Sequence, residues 1–165
     1  MSNFLPNALI NRLNKEPEFN MQAFLKVHET EQKISSIRVN PAKLTHAEAV
    51  LPIAEQIPWC DRGFFLDQRP VYTLDPLYHA GAYYSQEASS MFLAYALQSL
   101  GLDKNPLIAL DLCAAPGGKS TLLQSYLDPD ALLVSNEIIK ARANILEENS
   151  TKWGSVNTFV PKTAP

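Results

Sequence analysis

Apolar residues recur at helical spacing near the start of the chain, at Leu5, Leu9, Ile10 and Leu13, with Pro6 tolerated in a first turn. A second helix is predicted around Met21 to His28. From Ile34 the period changes. Ile37 and Val39 alternate with Arg38 and Asn40, which reads as a strand ended by Pro41, with a short helix expected near Thr45 to Val50. Between Leu51 and Tyr78, Pro52, Pro58, Pro70 and Pro76 surround the apolar run Gly63 to Leu66, the texture of short strands and turns.

Past Pro76 the elements lengthen. Ala88, Met91, Phe92, Tyr95 and Ser99 share one face of a helix predicted over Gln86 to Leu100, with Gly101 as its C-terminal stop. Leu107 to Leu112 reads as a short buried strand, Gly117 and Gly118 break the chain, and a helix follows from Lys119 to Tyr126. A second apolar strand is predicted over Ala131 to Asn136, a helix over Ile138 to Asn149, and a third strand over Val156 to Val160. Strand, glycine turn, helix, strand and helix make the first βαβ unit of an α/β, Rossmann-like fold with a right-handed crossover. The expected organisation is a small α+β domain over residues 1–75 and an incomplete Rossmann-like domain over residues 76–165.

Composition narrows the classes. With 46% hydrophobic residues in 165, the chain can bury a core, so extensive disorder is excluded. A net charge of -3 argues against broad polyanion binding, because phosphate affinity rests on many Lys and Arg contacts. Any nucleic-acid contact must then be local. Cys60 and Cys113 stand far apart without CxxC spacing, so neither a disulfide scaffold nor a zinc site is expected, and His28, His46 and His79 lack ligand spacing. A reducing, cytoplasmic setting fits, with no signal peptide at Met1 to Leu13 and no membrane span.

The chemistry concentrates in Asp111-Leu-Cys-Ala-Ala-Pro-Gly-Gly-Lys-Ser120, at the carboxyl end of the first parallel strand, where such folds bind ligands. Ala114 and Ala115 are small, Pro116 fixes one torsion, and Gly117 and Gly118 permit positive φ and close approach of the backbone. Amides opening the next helix can meet an anion, Asp111 can meet an amino group, and Glu137 follows at close to the roughly 20-residue spacing that lets a carboxylate reach ribose hydroxyls. Gly118-Lys119-Ser120 copies the end of a Walker A loop. The glycine that loop needs is replaced by Cys113, however, and Pro116 lacks an amide. A GxGxxG fingerprint is absent. An ordinary strand-to-helix turn is the remaining alternative.

DLCAAPGGKS closely resembles the cofactor loop of the Sun and nucleolar-protein family of RNA cytosine-5 methyltransferases, in particular ribosomal RNA enzymes of the RsmF type. Further matches are SIRVNP in the 35–41 region, PWC at 58–60, GFFL at 63–66, HAGAYYSQEASSM at 79–91 and SNEIIKARANIL at 135–146. The resemblance implies a Rossmann-like S-adenosylmethionine-dependent methyltransferase fold, of which only the first βαβ part is present. It also implies that Cys113, Ala114, Ala115, Pro116, Gly117, Gly118 and Lys119 line the methionine end of S-adenosylmethionine and that Glu137 holds the ribose. Arg142 would position Glu137 or the pocket, against the alternative of a solvated helix charge. Gln86, Glu87, Ala88 and Ser89 match a helix start bordering the pocket, although a simple helix N-terminus explains them equally.

The departures are specific. Methylation at carbon 5 of cytosine needs a cysteine thiolate to add at carbon 6. In the family this nucleophile lies in later motifs, one of them proline-cysteine, which this sequence lacks, so the chain alone is expected to be inactive. The acidic residue that the family carries near the adenine has no counterpart in Asn157 to Pro165, where Ala164 stands close to its place. Arg38 and Asn40 are candidates for RNA contact or for a solvent-facing strand side. Trp59, Phe64, Phe65, Tyr72, Tyr83 and Tyr84 are candidates for base stacking, most of them expected in the core. The expected partner is RNA, of ribosomal kind, with no membrane partner, and an unpaired sheet edge is expected to promote self-association. The alternative function is a noncatalytic RNA-binding or assembly module of the same fold.

Overall fold

A computed structural model describes residues 5–29, 34–45, 51–154 and 156–162. The expected helix near residues 45–50 and the position of Ala164 fall largely or wholly outside these residues. The chain forms two compact units, Met1–Ile34 and Ser35–Pro165. The first holds helices α1 (Asn7–Leu13) and α2 (Met21–Glu29). Pro6 precedes the first turn of α1, where its missing N–H costs nothing. The Asn20 side chain accepts the Ala23 amide at 3.0 Å and so caps α2.

The second unit contains two sheets. Strands β1 (Ser35–Val39), β2 (Ile53–Gln56), β3 (Gly63–Leu66) and β4 (Tyr83–Ser85) form an antiparallel sheet in the order β2-β3-β1-β4. Its fourth strand comes from beyond residue 76, after a single 3-10 turn at Tyr72–Leu74 and the short helix α3 (Pro76–His79). Ile37, Val39, Leu66 and Tyr83 bury one face together with Leu51. The strand prediction at Ile37 and Val39 therefore holds.

The opposite face of β1 corrects the reading of Arg38 and Asn40. Neither faces solvent or is open to RNA; they are 0% and 2% exposed. Apolar-polar alternation marks a strand with one wet face only when nothing covers the polar side, and here other elements of the same unit do.

The predicted helix over Gln86 to Leu100 starts later, as a 3-10 turn at Ala88–Met91 that continues into α4 (Phe92–Ser99). Its buried stripe is Met91, Ala94 and Leu97, whereas Phe92 and Tyr95 are about half exposed. The expected face is thus right at Met91 and at Ala88, which packs on the same core, and wrong at Phe92 and Tyr95, because the initial 3-10 turn shifts the later side chains away from an ideal helical wheel. Met91, Ala94 and Leu97 join Ile57, Cys60, Leu122 and Tyr126 in a second core.

Strands β5 (Ile108–Asp111), β6 (Leu132–Ser135) and β7 (Thr158–Phe159) form a parallel sheet in the order β5-β6-β7, connected by α5 (Gly118–Tyr126) and α6 (Lys140–Trp153). This is the predicted βαβ pattern, extended by a third strand. In register, Ile108 pairs with Leu132, and Leu110 with Val134, which also pairs with Phe159. Ile108, Leu110 and Phe159 are nevertheless 77%, 62% and 61% exposed. One apolar face of the parallel sheet is thus bare, and the expectation of a buried strand over Leu107 to Leu112 is not met: Ile108, Leu110 and Leu112 are exposed, and Leu107, Ala109 and Asp111 are only half-buried.

Candidate functional site

The segment Asp111–Ser120 turns sharply between β5 and α5. Gly117 is the N-cap of α5 at φ 110°, a left-handed conformation that strongly favours glycine, and the Ala115–Pro116 peptide is cis. The loop is tied to the end of β6: the Ala114 amide donates to the Asn136 carbonyl at 2.9 Å, and the Asn136 amide donates to the Asp111 carbonyl at 2.8 Å. Ala114 and Ala115 are buried against Leu146 of α6, so their small size lets the loop lie flat on that helix.

An open cleft of about 240 Å³ adjoins the turn. Asp111, Cys113, Ala114, Ala115, Pro116, Gly118 and Lys119 line one side, and Tyr84, Ser85, Gln86, Glu87 and Ser90 the other. The first turn of α5 holds no acidic residue, and its leading amides have no acceptor within the helix. The helix dipole adds partial positive charge there. Asp111 accepts a hydrogen bond from Ser120 Oγ at 2.7 Å, which fixes the carboxylate at the strand end. Cys113 is exposed, whereas Cys60 is buried with its sulfur 3.3 Å from the Tyr126 hydroxyl and does not line the cleft.

Glu137 and Arg142 stand apart from this lining. Glu137 is 4% exposed; Oε1 accepts the Ile139 amide at 3.0 Å and Oε2 lies 3.3 Å from Arg142 Nη1. Arg142 also donates to the Ala115 carbonyl at 2.8 Å, so the pair links the end of β6 to the turn. Asn149 adds a hydrogen bond to the Pro116 carbonyl at 2.7 Å. Among the expected flanking residues, Gln86 and Glu87 border the cleft in extended backbone ahead of the 3-10 turn.

Sequence reasoning named Arg38 for RNA contact and Tyr84 for base stacking and missed their place at the turn: the Arg38 guanidinium lies behind it, and the Tyr84 hydroxyl reaches the Pro116 carbonyl at 3.5 Å. Desolvation lowers the Arg38 pKa to about 9. Burial also pushes the Tyr84 phenol upward. Both belong to matched segments, but their direction depends on long-range packing that a local pattern does not carry.

The N-terminal domain model of the 16S rRNA methyltransferase RsmF matches residues 5–88 of this chain. The chain belongs to the RsmF family. A second model, of the 16S rRNA methyltransferase RsmB/F, matches residues 98–163. Among curated relatives, ribosomal RNA small subunit methyltransferase F of Shewanella sediminis is 35% identical over 133 residues, covering 74% of this chain and 27% of the relative. Its Vibrio cholerae counterpart is 37% identical over 134 residues, covering 74% and 28%. The chain thus spans under a third of the length of these RsmF relatives. A solved structure of NSun6 from Pyrococcus horikoshii with SFG shares the fold, with a TM-score of 0.73 at 15% identity over 96% of this chain and 65% of that one. Among the described residues, no cluster of His, Cys, Asp or Glu forms a metal site, and no helix is long and apolar enough to cross a membrane.

Proposed function

We propose that the cleft beside Asp111–Ser120 binds the methionine end of S-adenosylmethionine, and that the chain forms the front part of a ribosomal RNA cytosine-5 methyltransferase. The observation that carries this reading is the glycine turn itself: it sets the free amides of α5 and the Asp111 carboxylate on one cleft, as an amino-acid zwitterion requires. The fit is also steric. A Cβ on Gly118 would come within 3.6 Å of Gln86 Nε2 and Tyr84 Cε1, filling space that the bare glycine leaves to a ligand.

When bound, the cofactor supplies an electrophilic methyl group. The amides of Gly118 and Lys119 would receive its carboxylate and Asp111 its ammonium group, while Cys113, Ala114, Ala115 and Pro116 would shape the wall and Gly117, packed against Leu146, the turn behind it. Glu137, held by the Ile139 amide and Arg142, would be the carboxylate that meets the ribose hydroxyls.

The target base is a cytosine in RNA, and neither cysteine of this chain is assigned as the attacking thiolate, since Cys113 belongs to the cofactor turn and Cys60 is buried against Tyr126, off the cleft. The setting is cytoplasmic. The proposed organisation keeps an α+β part over residues 1–75 and a Rossmann-like part over residues 76–165, the latter lending β4 to the antiparallel sheet. Titration calorimetry with S-adenosylmethionine and then ATP tests the reading. Heat with the first alone supports it. ATP preference revives a nucleotide site, and no heat with either favours a noncatalytic RNA-binding or assembly module.

A further inference from the structure

Arg38 is fully buried, and among the described residues it has no ion pair. All its donors are nevertheless used. Nε donates to Gln86 Oε1 at 2.8 Å, and Nη1 donates to the Thr121 carbonyl and to Ser125 Oγ, both at 3.2 Å. Nη2 donates to Thr121 Oγ1 at 2.6 Å and to the Gly118 carbonyl at 3.4 Å. The guanidinium stacks 4.4 Å from the centre of the Trp153 ring. A planar fork with five N–H groups fits this arrangement, and an ammonium group does not.

The acceptors converge on two peptide units. Gln86 Nε2 also donates to the Gly118 carbonyl, at 3.1 Å, and Thr121 Oγ1 donates to the Gly117 carbonyl at 2.8 Å. In a trans peptide the C=O and the following N–H point in opposite directions. Holding the Gly117 and Gly118 carbonyls from behind therefore turns the amides of Gly118 and Lys119 the other way, toward the cleft. The buried charge also stands directly behind those amides, where solvent screens it little.

We infer that Arg38 is a positioning residue for the anion seat of the cleft: through Gln86 and Thr121 it fixes the peptide planes whose amides receive the ligand carboxylate. The inference rests on the proposed cofactor site, and touches no reacting atom.

The test measures S-adenosylmethionine affinity by calorimetry, and hydrogen exchange by nuclear magnetic resonance at the amide of residue 121, which donates to the Gly117 carbonyl at 2.8 Å, in the full chain and four variants. Arg38→Lys and Thr121→Val are expected to weaken binding roughly tenfold or more, the scale typical of residues that orient a binding group. Thr121→Ser, which keeps the hydroxyl, is expected to restore it. Leu66→Ala, in the separate core under the antiparallel sheet, is expected to lower stability and leave affinity alone. Undiminished affinity in a folded Arg38→Lys or Thr121→Val overturns the inference, as does an equal loss in Leu66→Ala. If Arg38→Lys does not fold, the two Thr121 variants decide. If the unaltered chain binds no S-adenosylmethionine, the cofactor reading fails, and exchange at the amide of residue 121 decides alone: faster exchange relative to global unfolding in Thr121→Val supports the inference, and unchanged exchange overturns it.

Discussion

Gly81 is packed directly on the last turn of α6, where a Cβ would come within 2.7 Å of the Lys152 carbonyl carbon. Its φ of +68° already disfavours any side chain. Replacing Gly81 with Ala should therefore destabilise the fold by at least about 2 kcal/mol, the conformational penalty adding to an overlap with backbone that cannot rotate away. Denaturant unfolding of the variant would show the midpoint falling, and an unchanged midpoint would refute the close approach.

The two glycines of the turn should separate fold from binding. Gly117→Ala puts a side chain at φ +110° and 3.3 Å from Leu146 Cδ1, so a stability loss of about 1–2 kcal/mol is expected. Gly118→Ala meets only ordinary contacts and sits in a helical first turn, so its melting temperature should hold or rise. Its S-adenosylmethionine affinity should fall, because the methyl group enters the cleft. Paired melting and calorimetry of the two variants check this contrast.

Arg142 is half exposed, but its partner Glu137 is buried, so removing Arg142 strips a buried carboxylate of its cation and the Ala115 carbonyl of its donor. The Arg142→Ala variant should consequently lose about 1–3 kcal/mol of stability and bind the cofactor several-fold more weakly. Parallel thermal and binding titrations would reveal a purely surface role if both parameters stayed put.

Alkaline pH should weaken the fold. Burial first, and then hydrogen bonding to Asp75, raises the Tyr83 pKa above its ordinary 10.0. Burial, then Asp61 and Cys60, does the same for Tyr126. A group whose folded pKa is raised contributes stability that is complete below its unfolded pKa. That contribution is lost progressively as pH climbs above about 10. Chemical unfolding across this range should show a decline smaller in a Tyr83→Phe variant, which has no phenol to titrate there.

Exposed Ile108 and Leu110 lie on β5, which pairs with β6 alone among the described residues. Self-association through this strand is the expected result. Light scattering across a concentration series should show mass rising with concentration, and an Ile108→Lys variant should suppress the rise. A monodisperse monomer throughout would exclude this contact.

Much of the architecture was readable because periodicity and punctuation agreed. Gly117 and Gly118 divide β5 from α5, and the apolar run around Leu133 sits between two helical patterns, so the βαβ order follows from local signals. Arg38 escaped for the opposite reason: a charged residue between Ile37 and Val39 looks like the wet side of a strand, and only the distant Thr121 and Trp153 make that side dry. Phe92 and Tyr95 misled similarly, since a 3-10 turn shifts the register of the wheel. At the site, the Asp111–Lys119 string announced the cleft, whereas the partners across it, Tyr84 and Gln86, depend on how the two sheets are brought together.

Asn40 donates to the carbonyls of Gly81 and Trp153, and Lys43 reaches those of Ala80 and Lys152, so the segment after β1 grips the final residues of α6. The same helix begins beside the turn that carries the glycines. Mechanical or thermal disturbance of the antiparallel sheet is thereby transmitted along a single rigid rod to the opposite end of the unit, and calorimetric melting of residues 35–165 should be one cooperative event in which neither sheet outlasts the other.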